Sequence, residues 1–285
     1  MIAVTGATGH LGRLAIAGLL DKVPANQLVA IVRTPSKAAD LAEKGVQVRQ
    51  ADYDQPDRWD AALAGVEKLL LISSSEVGKR ASQHQVVIAA AKRAGVKLVA
   101  YTSILKGDAS PLGLAAEHQA TEKALKASGL SWVLLRNGWY LENYTERLAP
   151  ALEHGFVGSA GQGKIAAAAR SDYAAAAVAV LTSPGHEGKA YELAGTPFTM
   201  AELAAEASKQ TGKSLAYADL PPEAYRKILL GAGLPPPVAE IFVDADVKAA
   251  KGALDDTSGQ LAKLIGRAPT SLATAVAQGL RAIKA

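Results

Sequence analysis

Three glycines spaced Gly6-x-x-Gly9-x-x-Gly12 stand between a short apolar run, Ile2–Thr5, and an apolar helical pattern that begins at Leu11. Gly6 permits a tight turn out of a strand. Gly9 lets the backbone approach a partner with no Cβ in the way, and Gly12 lets the next helix pack close to the strand layer. Further β-branched or leucine-rich runs follow at Leu28–Val32, Val46–Arg49, Lys68–Ile72, Leu98–Thr102 and Trp132–Leu135. Stretches with helical spacing separate them: Leu11–Leu20, Ser36–Lys44, Arg58–Ala64, Gln83–Ala94 and Leu114–Ala127. Gly45, Gly65, Gly95 and Gly129 closely follow four of these, where a left-handed residue ends a helix. Strand–helix alternation of this length predicts right-handed βαβ units and an α/β fold with a doubly wound parallel sheet.

The second half changes character. Lys189–Leu193 reads as one more strand, and Asp172–Leu181, Ala201–Gln210, Glu223–Leu230 and Leu272–Ala282 read as helices. The alanine run around Ala166–Ala177 reads as a close-packed helix, and the prolines at 221–222 and 235–237 as loops at helix ends. The expected organisation is a Rossmann-type domain over residues 1–150 and a smaller, mainly helical lobe over 151–285, with some segments returning to the main sheet.

The glycine spacing, the strand before it and the helix after it form a dinucleotide-binding turn, with the helix N-terminus facing the pyrophosphate. A tight turn without a ligand is the competing reading. The end of the second strand, about twenty residues beyond the last loop glycine, distinguishes cofactors: an acid there binds the ribose 2′-hydroxyl of NAD, an arginine the 2′-phosphate of NADP. The chain reads Ile31-Val32-Arg33-Thr34, with no acid. Arg33 therefore points to NADPH, its planar fork suited to a phosphate, and Lys37 offers a second charge. Asp52 is read either as an acceptor for the adenine amino group or as a helix N-cap. Ser73, Ser74 and Ser75 line a ribose or the nicotinamide, or form a polar strand exit.

Composition removes other classes. The chain has 285 residues, 31 Lys+Arg against 27 Asp+Glu, and no cysteine. No run of like charges concentrates the excess of +4, so nucleic-acid binding through a basic patch is not expected. No disulfide, thiolate metal site or cysteine nucleophile is available. The carboxylates Asp244, Asp246, Asp255 and Asp256 lack ligand spacing and a histidine partner, so no metal is expected. Nothing resembles a signal peptide or a membrane span, which suggests a cytoplasmic protein.

Gly6-Ala7-Thr8-Gly9-x-Leu11-Gly12, Asp52-Tyr53, Ser73-Ser74-Ser75-Glu76-Val77-Gly78, Ala100-Tyr101-Thr102-Ser103, Asn137-Gly138-Trp139-Tyr140-x-Glu142-Asn143-Tyr144 and Lys263-Leu264-Ile265-Gly266 together resemble the NmrA-like group of atypical short-chain dehydrogenase/reductases. The resemblance spans nearly the whole chain. It implies a Rossmann-type N-terminal domain, a small C-terminal lobe, a cleft between them, NADPH as hydride donor and quinones as acceptors. Within the group it points first to quinone-reducing members and next to triphenylmethane-dye reductases, which lack the Ser73–Gly78 run. Carried over by position, Gly6, Ala7, Thr8, Gly9, His10, Leu11 and Gly12 form the cofactor loop, with His10 where a glutamine is usual. Ser73–Ser75 and the Asn137–Asn143 segment, including Gly138 and Trp139, then line the nicotinamide end.

The Tyr-x-x-x-Lys pair of larger short-chain dehydrogenases is absent: Ala115–Lys123 contains no tyrosine, and neither Tyr101 nor Tyr140 has a lysine four residues later. Direct hydride transfer to a quinone needs no tyrosine acid, since the hydroquinone anion takes its proton from water. Tyr140 and Asn143 are the candidates for contacting the acceptor. His118 is either a proton donor or a helix-surface residue paired with Glu122 at i, i+4. Trp132 and Trp139 also read as core residues. Besides a reductase of quinones or dyes, a dinucleotide-binding redox sensor acting on a partner protein fits the same motifs.

Overall fold

The computed structural model describes residues 1–284. Its strands are β1 (Ile2–Val4), β2 (Leu28–Val32), β3 (Gln47–Gln50), β4 (Lys68–Leu71), β5 (Leu98–Ile104), β6 (Ser131–Asn137), β7 (Phe156–Gly158), β8 (Lys189–Leu193) and β9 (Tyr217–Asp219). The helices are α1 (His10–Leu20), α2 (Ala39–Glu43), α3 (Trp59–Ala62), α4 (Arg80–Arg93), α5 (Ala115–Ala127), α6 (Glu142–Thr145), α7 (Leu148–His154), α8 (Arg170–Thr182), α9 (Met200–Thr211), α10 (Pro222–Gly231), α11 (Pro236–Ala249), α12 (Gln260–Ile265) and α13 (Leu272–Lys284).

The chain divides into two compact units. The first takes residues 1–108, 116–137 and 170–192. It is a Rossmann-type α/β unit built on a seven-stranded sheet in the order β3-β2-β1-β4-β5-β6-β8. Strands β1 to β6 pair in parallel, with Ile2 opposite both Leu28 and Lys68, and Tyr101 opposite both Leu71 and Leu134. Every residue of β1, β2 and β5 is buried, which is why they read as unbroken apolar runs. β3 lies at the sheet edge, and Gln47, Arg49 and Gln50 keep it polar.

Helices cover both faces. On one, Trp59 of α3, Val87, Ile88 and Ala91 of α4 and Leu125 of α5 pack with Val29, Ile31, Leu69, Leu71, Val99, Tyr101 and Leu134. On the other, α8 lies against β4, β5, β6 and α1. Gly18 of α1 meets Val178 of α8 so closely that a Cβ there would stand 3.0 Å from a Val178 methyl. All the parallel strands end at one edge, which gathers the loops after β1, β2, β3 and β4.

The second unit takes residues 109–115, 138–169 and 193–285. It is mainly helical, with a two-stranded parallel sheet of β7 and β9. Tyr225, Leu229, Ala239 and Val243 form one apolar cluster between α10 and α11. Pro222 and Pro236 open these helices, where a missing N–H costs nothing. The loop reading of prolines 235–237 concealed α11. The helical reading of Ala166–Ala169 is also corrected: α8 starts only at Arg170. The four alanines before it are extended because neighbouring backbone takes up their hydrogen bonds. Ala166 bonds to Leu254 and Gly195, and Ala168 to Trp139 and Leu141.

At Gly12 a Cβ would stand 2.3 Å from the Gly6 carbonyl oxygen and 2.8 Å from Ala7 Cα, so α1 must retreat to accept a side chain. Gly12→Ala should cost about 2–3 kcal/mol and lower the thermal midpoint by about 4–10 °C. Gly231→Ala is the control. Nothing lies within 4 Å of its added Cβ, so its midpoint should match or exceed that of the parent. Equal midpoints for the two variants would contradict the close approach.

Candidate active site

The chain leaves β1 through Thr5, whose hydroxyl donates to the Leu70 carbonyl (3.4 Å) and accepts the Ile72 N–H (2.9 Å), tying the exits of β1 and β4 together. Gly6 then turns with φ +56°, in the left-handed region that favours glycine. The Gly9 N–H closes the turn on the Gly6 carbonyl (2.9 Å). Gly9 caps α1 in an extended conformation and supplies no side-chain oxygen, and the first turn carries no acid. The first-turn N–H groups thus remain for an anion, with the positive end of the helix dipole behind them. Gly6, Gly9 and His10 are exposed, while Ala7, Leu11 and Gly12 are buried and fix the loop from below.

Arg33 follows β2 and is solvent-exposed, its Nη1 3.5 Å from Glu76 Oε1. Lys37 is exposed as well. Asp52 follows β3, where its Oδ1 accepts the Asp54 N–H (3.1 Å) and its carbonyl accepts Trp59 Nε1–H (2.8 Å). The N-cap reading of Asp52 does not hold: the next turn, Pro56–Arg58, is preceded by Gln55 and has no side-chain cap. Ser73, Ser74 and Ser75 follow β4. The Ser73 N–H donates to Thr102 Oγ1 (2.8 Å), and Ser74 Oγ accepts the Glu76 N–H (3.2 Å). Asn137 ends β6, and its side-chain oxygen is buried with no hydrogen-bond partner. A buried acceptor left open in this way costs about 1–3 kcal/mol, which a ligand N–H would recover.

Behind these loops lies a buried layer. His84 of α4 accepts the Ser74 N–H on Nε2 (3.0 Å) and faces Thr121 Oγ1 through Nδ1 (3.0 Å). Thr121 gives its own proton to the Glu117 carbonyl (2.9 Å), so Nδ1 must be the donor and His84 must be neutral. Burial first, and then the Arg80 charge, push its pKa down to about 3. Arg80 donates Nε–H to the Ser74 carbonyl (2.7 Å), and its Nη1 lies 3.8 Å from Glu117. Glu117 accepts the Gly78 N–H (3.1 Å). The buried His84 and Arg80, with the half-buried Glu117, therefore hold both ends of the Ser73–Lys79 loop.

A family model described as NAD(P)H-binding matches residues 6–184, which covers the glycine loop, Arg33, Asp52, Ser73–Ser75 and Asn137. The chain belongs to the NAD(P)H-binding family. It is 57% identical over 278 residues to quinone oxidoreductase 2 of Escherichia coli (strain K12), with 97% of each chain covered. The Escherichia coli NADPH-dependent quinone oxidoreductase solved with NADPH superposes with a TM-score of 0.95 at 56% identity, covering 98% of this chain and 99% of that one. The triphenylmethane reductase of Citrobacter sp., solved with NADP(H), gives a TM-score of 0.95 at 42% identity, covering 98% and 100%.

Two polar side chains of α5 in this NAD(P)H-binding chain are buried. His118 is 6% exposed and its Nδ1 lies 2.7 Å from the Tyr101 hydroxyl. The surface reading of His118, paired with Glu122, is thereby corrected. Burial, Arg80 and His84 hold His118 well below its ordinary range, and burial keeps the Tyr101 phenol protonated. Glu122 is buried against Arg136 (2.7 and 3.0 Å) and Ser103 (2.6 Å). In the second unit, Gly138 donates to the Leu193 carbonyl, and Trp139 meets Phe242 edge-on at 6.1 Å. Tyr140 bridges to Ala168, and Asn143 lies in α6, its N–H bonded to the Tyr140 carbonyl. Sequence reading passed over His84 and Arg80. Their signal was periodicity, since Arg80, His84, Val87, Ile88 and Ala91 share the buried face of α4.

The folded His84 titrates near 3 and an unfolded histidine near 6.5. Between those values the unfolded chain binds the extra proton, so stability is lost as pH falls through that window. His84→Gln keeps an acceptor for Ser74 and a donor for Thr121. Between pH 6 and 4 its stability should fall less steeply than wild type, by about 1.4 kcal/mol per pH unit. Parallel pH profiles of unfolding free energy would show that His84 does not titrate as described.

Proposed function

We propose that this chain is an NADPH-dependent reductase of quinones. The observation that carries the reading is the Gly6–Gly12 cradle with Arg33, rather than an acid, at the end of β2, in a chain so similar over its length to a quinone oxidoreductase. The cradle fits the cofactor on its own geometry: a glycine turn, an uncapped helix N-terminus and an absent Cβ at Gly12. The first-turn N–H groups of α1 bind the pyrophosphate, Arg33 the 2′-phosphate with Lys37 nearby, and Asp52 the adenine amino group. Ser73–Ser75 and the segment Asn137, Gly138 and Trp139 hold the nicotinamide end, where the open Asn137 oxygen accepts from the carboxamide.

When bound, NADPH supplies the hydride that a quinone accepts. The chain contributes position and electrostatics, with Tyr140 and Asn143 contacting the acceptor. Water supplies the proton. Tyr101 is held as a phenol behind His118, Glu122 is fixed by Arg136, and the neutral His118 is the one side chain against which this assignment is set.

NADPH oxidation followed at 340 nm should proceed with quinones and, more slowly, with triphenylmethane dyes, against an NADPH-only blank. Tight NADPH binding without turnover of any acceptor would move the protein to a sensor role. Arg33→Ala should reduce the kcat/KM preference for NADPH over NADH at least about tenfold. Tyr140→Phe and Asn143→Ala should each lower quinone kcat/KM by about three- to tenfold, and activity intact in both would relocate the acceptor. A loss beyond about tenfold in His118→Gln, with folding preserved, would give the proton to that imidazole.

A further inference from the structure

We propose that Glu76 is a specificity-determining residue of the cofactor site: its carboxylate is the counter-ion that Arg33 holds until a 2′-phosphate displaces it. This rests on the reading of Arg33 as the 2′-phosphate ligand.

Arg33 stands at the end of β2 and Glu76 on the loop after β4, and β1 with its glycine turn lies between those strands in the sheet. The ion pair therefore bridges from one side of the glycine turn to the other. Both partners meet solvent, at 67% and 36% side-chain exposure, and the 3.5 Å contact is not a tight bidentate pair. Such a contact is weak in water, whereas a phosphate dianion can take the guanidinium through two charge-assisted hydrogen bonds. The phosphate has the advantage in charge and geometry.

Glu76 also has other partners when it leaves. Its Oε2 lies 3.5 Å from Lys79 Nζ and accepts Gln83 Nε2–H at 3.2 Å. Lys79 and Gln83 in turn engage Asp54, at 3.6 and 3.1 Å. Arg33 can pass to the phosphate while the carboxylate stays neutralised within this cluster. The backbone need not move, because Arg80, His84 and Glu117 hold the loop on either side of Glu76. A 2′-hydroxyl has no charge with which to compete, so Arg33 stays paired to Glu76 when NADH binds. Glu76 thus weakens the binding of the phosphorylated cofactor while leaving the other untouched, and makes the preference for NADPH smaller than Arg33 alone would give.

The test is calorimetric titration of NADPH and NADH into wild type, Glu76→Gln, Arg33→Ala and the double variant. Glu76→Gln should tighten NADPH about two- to fivefold and leave the NADH Kd unchanged, and the gain should vanish in the Arg33→Ala background. Three results would overturn the proposal while leaving Arg33 intact: NADPH binding unchanged or weaker in Glu76→Gln, NADH tightened by the same factor, or a gain that persists without Arg33. If Arg33→Ala alone keeps the wild-type ratio of NADPH to NADH affinity, the Arg33 assignment fails and takes this proposal with it.

Discussion

The first turn of α1 lies directly on the Gly6 carbonyl, and that contact exists because residue 12 has no side chain. It sets the position of α1 against the sheet and aims its N–H groups over the end of β1. It also decides what can cover α1. With the helix drawn close to the sheet, a side chain at Gly18 would crowd Val178 of α8, its Cβ 3.0 Å from a Val178 methyl. The segment that supplies α8 begins at Arg170, long after the chain has left the first unit, so it must return to complete the sheet's second face. A local spacing near the N-terminus thus reaches a helix more than a hundred and fifty residues away. Gly12→Ala would be felt at both ends of α1.

What the sequence reveals follows from how each element is buried. The inner strands β1, β2, β4 and β5 are legible because two helical layers make them continuously apolar. β7 and β9 have three residues each, too few for any period to register. The Ala166–Ala169 segment misleads because alanine's helix preference is weak beside four backbone hydrogen bonds from tertiary neighbours. α11 is masked by the prolines that start it. In the site, the glycine loop, Arg33 and the serines are marked by position along the chain. His118 is not, since a histidine and a glutamate at i, i+4 look like a solvated pair until the fold turns that face inward against Tyr101 and Arg136.

The buried layer behind the loops follows a different logic from the exposed one in front. His84 can neither gain a proton nor change tautomer without losing the Ser74 N–H, and Arg80 and Glu117 secure the flanking backbone. Desolvation keeps the imidazole neutral, and the Ser74 N–H and Thr121 hydroxyl select the tautomer the loop requires. The polar groups around Ser74 therefore set geometry and are not a reservoir of protons.

Arginine–carboxylate pairing serves both purposes in the same unit. Arg136 and Glu122 meet through two short bonds with Glu122 side-chain exposure at 1%, and Arg136 reaches on to Glu192 at 2.9 Å. Burial works to raise the Glu122 pKa, yet its hydrogen bonds to Arg136 and Ser103 hold it below the ordinary value. Removing one partner from such a pair costs about 3–5 kcal/mol, so the pair behaves as a strut between β6 and α5. Arg33 and Glu76 use the same functional groups at a longer distance and in water, where an ion pair is worth about 0–1 kcal/mol. Distance and solvent access together separate the tight pair from the loose one. An arginine proposed to take a phosphate is thus paired with a partner it can release, and the chain places that partner on a loop held by His84, Arg80 and Glu117.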